Sequence, residues 1–195
     1  MTMNFQALKP AMYSSDRIGK LLDTKEIEKQ IGGDIPDALY QLLKEYKGPV
    51  IFREAAGIRP LNLPKVISGE IIEVELIYGL NDGEYGMAEV NETYSGRVGE
   101  EYVPFADPGA GDQIFYSVIS GQVCFWHHEC SFGEGAEEAM TLIADSVAVF
   151  FENLEHIPES EDDGISSGII ETPGQFDKLR ELMEMKRRGE KLPWE

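Results

Sequence analysis

A chain of 195 residues with 36 Asp and Glu against 17 Lys and Arg has a formal charge of −19, and its hydrophobic share of 42% is still enough for a core. Such a charge excludes the polyanionic partners, nucleic acid and anionic membrane, whose surfaces it repels. The charge is also concentrated: residues 98–177 hold 17 acidic residues and no lysine or arginine, a bias that points to a basic protein partner rather than to a fold.

The length suits one domain. The opening Met1-Thr2-Met3-Asn4-Phe5 lacks a basic stretch followed by an apolar run, and the apolar run at 147–151 is too short to span a bilayer. Cys124 and Cys130 do not make a disulfide framework and read as reduced thiols. Together these features lead to an expected cytoplasmic location. No repeat at solenoid periods is present.

Residues 1–23 read as a loose arm or a short helix. Thr24 caps a short helical stretch with Ile27 and Ile31 on one face, stopped by Gly32-Gly33. Pro36 opens a second helix, carried by Leu39, Leu42, Leu43 and Tyr46 and ended near Gly48. The period then changes. Val50–Arg53 and Ile71–Tyr78 read as strands, the second alternating Ile72, Val74, Leu76 and Tyr78 with Glu73 and Glu75, and Asn81-Asp82-Gly83 reads as a turn. Tyr102–Phe105 is a further strand. Gln113–Ile119 and Gln122–His128 form a hairpin across a two-residue Ser120-Gly121 turn.

A long helix is predicted over Ala136–Leu154, with Met140, Ile143, Val147, Phe150, Phe151 and Leu154 on one face. Pro158–Ser167 reads as an acidic loop. A last helix starts at a Thr172/Gln175 capping box with Pro173 at its first position. Phe176, Leu179 and Met183 give its stripe, and Lys186, Arg187 and Arg188 its basic end. Helices segregated from a run of strands predict an α+β fold with a mainly antiparallel sheet. The expected organisation is an arm over 1–23, a core domain over 24–154, and a segment over 155–195 packed on that same domain.

The densest chemical group is Cys124-Phe125-Trp126-His127-His128-Glu129-Cys130. Its Cys, His and Glu side chains are all zinc-ligand types. Strand alternation, however, sends Cys124, Trp126 and His128 to one face and Phe125 and His127 to the other, so the two histidines do not converge on one ion. No metal or cofactor is therefore expected, and a small zinc enzyme built on Cys124–Cys130 ranks last among the readings. His127-His128-Glu129 has the His-x-Glu form of zinc deaminases but lacks their downstream Pro-Cys-x-x-Cys. HExxH, GxSxG, P-loop and GxGxxG motifs are absent. Gly109-Ala110-Gly111 reads as a turn, and among so many acids no catalytic carboxylate pair stands out.

Four segments in order resemble the SUKH superfamily, the Smi/Knr-like proteins. They are Ile35-Pro36 with the helix ending at Gly48; Gly111-Asp112-Gln113-Ile114, similar to a Gly-Asp-x-Ile strand start; Gly121 to Glu129, similar to a Gly-x-Val-x-x-Trp strand with trailing histidine and acid; and Ile143 to Leu154, similar to an Ala-x-Ser-Phe helix. They span about residues 24–154. Lys47 stands where the family often has Asn, and Val147 where it often has Phe.

The resemblance implies a twisted, mainly antiparallel sheet with helices packed against it, and no catalysis. Bacterial members are similar to immunity proteins that neutralise toxins, often nucleases, and eukaryotic relatives resemble regulators of cell-wall synthesis acting through protein contacts. The leading expectation is an immunity protein for a basic nuclease-type toxin, with a regulatory scaffold second. The acids expected to meet the partner, as exposed groups near the motifs, are Asp107, Asp112, Glu129, Glu134, Glu137 and Glu138. Trp126 is expected in the core.

Overall fold

A computed structural model describes residues 8–15, 17–130 and 139–157. Its first helix, α1 (Thr24–Ile31), is capped one residue earlier than expected: the Asp23 carboxylate accepts the Lys25 N–H, and Ile27 and Ile31 are buried. Gly32, at φ 75°, closes it. In α2 (Asp37–Tyr46) Pro36 occupies the N-cap position, and Leu39, Leu42 and Leu43 are buried. The left-handed residue that ends α2 is not Gly48 but Lys47, at φ 57°, whose N–H donates to the Leu43 carbonyl.

The strands are β1 (Pro10–Met12), β2 (Ile18–Leu21), β3 (Val50–Phe52), β4 (Ala56–Ile58), β5 (Ile72–Glu73), β6 (Leu76–Ile77), β7 (Asn81–Gly83), β8 (Tyr102–Asp107), β9 (Gln113–Ser117), β10 (Val123–Trp126), β11 (Met140–Ala144) and β12 (Leu154–His156). Helix α3 (Met87–Tyr94) lies between β7 and β8, and α4 (Val147–Glu152) between β11 and β12. Seven strands form one sheet in the order β1-β3-β6-β8-β9-β10-β11, with every neighbouring pair antiparallel. A three-stranded sheet, β12-β4-β5, and a two-stranded one, β2-β7, complete the described residues. The fold is α+β, with a mainly antiparallel sheet.

Strand β9 is buried on both faces, and β10 is too except at half-buried Cys124; their alternation divides the interior. Ile114, Tyr116, Val123 and Phe125 join the main core with α1, α2 and the Phe150-Phe151 pair of α4. Phe115 and Trp126 point the other way, into a second cluster with Ala139, Tyr94 and Met140. Trp126 is fully buried, on the face opposite α4. Tyr94 meets it edge-on with ring centres 5.5 Å apart, and the Arg97 guanidinium lies 5.1 Å from both ring centres.

Several expectations are corrected. The amino-terminal arm supplies β1 to the large sheet and β2 to the small one. Ile71–Tyr78 is not one strand: Ile72–Glu73 pairs in the three-stranded sheet and Leu76–Ile77 in the seven-stranded one. Asn81-Asp82-Gly83, expected as a turn, is strand β7 paired with β2, and helix α3 follows it where no element was expected. The hairpin loop is longer than two residues, because the Ser117 N–H donates to the Gln122 carbonyl and leaves Val118–Gly121 as the connection.

The largest change is in Ala136–Leu154. Residues 140–144 form β11 on β10, and the helix starts only at Val147, where Ser146 Oγ accepts the Val149 N–H. The apolar spacing of Met140, Ile143 and Val147 fits a helix. An available strand edge on β10 and a Ser cap at 146 win instead, since such side chains favour helix starts over interiors. The compact unit runs to Pro158. The expected acidic loop and the helix from Thr172, with its packing on the domain, lie outside the described residues.

Candidate functional site

The chain leaves β8 through a tight turn. The Asp107 carboxylate accepts the Gly109 N–H at 2.7 Å, Gly109, Ala110 and Gly111 all have positive φ, at 86°, 57° and 88°, and the Asp112 N–H returns to the Gly109 carbonyl at 3.2 Å. The turn sets Asp112 at the head of β9. Because the β9–β10 register pairs Gln113 with Trp126, the chain passes Asp112 as it leaves β10. There the strand ends. The His127 N–H donates to the Ala139 carbonyl at 2.9 Å, and His128 enters a turn.

Both imidazoles close on one oxygen. Asp112 Oδ1 lies 3.1 Å from His127 Nδ1 and 2.8 Å from His128 Nδ1, and it also accepts the His128 backbone N–H at 3.1 Å. His128 Nε2 faces the Glu129 carboxylate at 3.6 Å. Gly111 makes the approach feasible: a Cβ there would sit 3.3 Å from the His128 ring, and its φ of 88° is one that side chains rarely adopt. Asp112 is only 9% exposed. Its ion-pair partners among the described residues are these two histidines, and the His128 backbone N–H, with whichever imidazole carries its proton on Nδ1, offsets the cost of burying the carboxylate.

Two acids, Asp107 and Glu75, lie near the start of the turn. Burial holds the Asp107 carboxyl above the ordinary Asp range, against the opposing pull of the Gly109 N–H and of Tyr78. Glu75 is raised by burial and by Asp107. Tyr78, whose hydroxyl meets Gln113 Oε1 at 2.6 Å, is raised mainly by burial. Around the corner, His127 lines a cleft of about 480 Å³ with Leu63, Pro64, Phe125, Cys130 and Met140. Leu61, Leu63 and Val66 expose about half of their surface on this loop, at 58%, 48% and 47%.

The acids expected to meet a partner therefore fall into three groups. Glu129 is exposed, with 75% of its side chain accessible. Asp107 is half-buried and Asp112 buried, so neither is the exposed carboxylate that its place near a motif suggested; the tight turn folds both inward. Glu134, Glu137 and Glu138 lie outside the described residues. The expectation that His127 and His128 diverge is also overturned, because alternation holds only to Trp126. The three-donor cluster among the described residues is Asp112, His127 and His128, without either cysteine. Cys124 and Cys130 are free and half-buried, and burial pushes the Cys124 thiol up.

Among the described residues no helix is long and apolar enough to cross a membrane. A curated relative, described as the SPbeta prophage-derived uncharacterized protein YokK of Bacillus subtilis (strain 168), is 29% identical over 154 residues, covering 72% of this chain and 79% of its own. A sequence model described as the SMI1 / KNR4 family (SUKH-1) matches residues 20–153, from β2 to the end of α4. The match takes in both early helices, the Gly111-Asp112 turn and the β9–β10 hairpin, and with it the chain belongs to the SMI1 / KNR4 family (SUKH-1).

Proposed function

We propose that this protein is a non-catalytic binding module that neutralises a basic, nuclease-type toxin by covering the surface with which the toxin engages its substrate. The observation that carries this reading is the charge distribution: 80 consecutive residues, 98–177, with 17 acids and no fixed cation, most of them within a family domain. A nuclease must present cations to phosphates, and a carboxylate-rich surface complements those cations and competes for them. Exposed Glu100, Glu129, Asp145 and Glu152 belong to this stretch. Association would be steered by the field as a whole, while apolar contacts in a desolvated patch would slow dissociation. A relative described as prophage-derived fits a mobile toxin–immunity cassette better than a housekeeping scaffold. The reading also places the protein in the cytoplasm, where the toxin's substrate lies.

The test is co-expression with a candidate toxin, taken from any toxin-like open reading frame found beside the gene for this protein. Growth rescue is the expected result. Failure to rescue, with the protein folded and abundant, would remove the immunity reading and leave a regulatory scaffold acting through other protein contacts.

A further inference from the structure

We propose that Asp112, His127 and His128 form a binding site for one divalent transition-metal ion of the zinc class. The site does not depend on the partner reading. One carboxylate oxygen and two imidazole nitrogens lie within 4.8 Å of one another, and this set of oxygen and nitrogen donors is one that zinc accepts. Ligand bonds of about 2.0–2.1 Å at tetrahedral angles place donor atoms about 3.3 Å apart. The Oδ1–Nδ1 distances of 3.1 and 2.8 Å are already close to that spacing, so an ion enters with small side-chain shifts. Three protein donors leave a fourth position open to water or to a group from outside.

The surroundings match what such a centre needs. The His128 backbone N–H holds Asp112 Oδ1 in place, and the carboxylate keeps further lone pairs for a metal. An Nδ1-bound imidazole carries its proton on Nε2, and a carboxylate commonly accepts a hydrogen bond from that N–H in metal sites. Glu129, 3.6 Å from His128 Nε2, is beyond hydrogen-bond distance here and would take that role after a small side-chain shift. Gly111 supplies the close backbone approach, since a Cβ would press on the His128 ring. A formal charge of −19 raises the local cation concentration. The metal would clamp the turn after β8 to the segment that leaves β10.

The experiment uses the tag-free full chain, stripped with a chelator and titrated with Zn²⁺ against a chromophoric competitor. Histidine ¹⁵N spectra are recorded alongside. The chain has three histidines, which makes the assignment tractable. We expect one equivalent bound, with Nδ1 of His127 and His128 shifted and His156 unmoved. His127→Gln and His128→Gln should each weaken binding at least about tenfold, the range in which even outer-shell changes act, whereas His156→Gln and the Cys124→Ser/Cys130→Ser pair should leave it intact. Melting curves confirm that each variant is folded, and the wild-type spectra decide the matter where one is not. No binding by the folded wild type would overturn the proposal, as would binding that survives both His127→Gln and His128→Gln, or binding lost with the cysteines.

Discussion

Lys47 holds a conformation that its side chain disfavours. It ends α2 at φ 57°, where an L-residue costs about 1–2 kcal/mol that glycine avoids, although glycine gives back part of the gain through a freer unfolded chain. Lys47→Gly should therefore stabilise the protein by about 0.5–1 kcal/mol, read as a higher urea midpoint with unchanged slope; a lower midpoint would mean that the lysine side chain holds the turn in another way. Asp107 gives a pH-dependent counterpart. Chiefly through burial its carboxyl is raised above the ordinary range, so the ionised form is less favourable folded than unfolded. Stability from this group is then fully present below the unfolded pKa, near 3.9, and is lost as pH rises through the higher folded value. Asp107→Asn should melt higher than the wild type at pH 7, and the advantage should shrink toward pH 4. A variant that melts lower at pH 7 would show that the Gly109 hydrogen bond outweighs desolvation.

At the scale of elements, the sequence made plain whatever is decided locally. The cap region at Thr24, Gly32 and the leucines of α2 announce two helices through caps and period, though the cap itself proves to be Asp23, and turn composition announces the β9–β10 hairpin. What depended on a distant partner was hidden. Met140–Ala144 has helical spacing, and only the open edge of β10 makes it a strand. The site was obscured by register. A two-residue Ser120-Gly121 turn would set His127 opposite Ile114, whereas the longer loop pairs Gln113 with Trp126 and brings His127 to Asp112. A shift of two residues preserves the faces but changes the neighbours, so apolar patterning could not reveal it. The late helix start can be checked directly. Ser146→Ala should cost about 1 kcal/mol by loss of the Val149 N–H partner, measured by denaturant unfolding. An effect near zero would be expected of an exposed Ser inside a continuous helix, and would contradict a cap.

Across the whole molecule the charge divides the chain more sharply than the fold does. Outside residues 98–177 the acids exceed the bases by only two, whereas inside there is no fixed cation to offset 17 acids. The family fold accommodates this by folding Asp107 and Asp112 inward at one turn while Glu100, Glu129, Asp145 and Glu152 stay exposed. A carboxylate surface of this kind works at long range, so its signature is sensitivity to ionic strength: the screening length falls from about 10 Å at 0.1 M salt to about 3 Å at 1 M. The most direct measurement is calorimetric titration of the purified protein with a candidate basic nuclease toxin domain that it protects against in co-expression, at low and at high salt. A one-to-one complex that blocks nuclease activity and weakens as salt rises is the predicted result, and the absence of any complex at low salt would contradict the account.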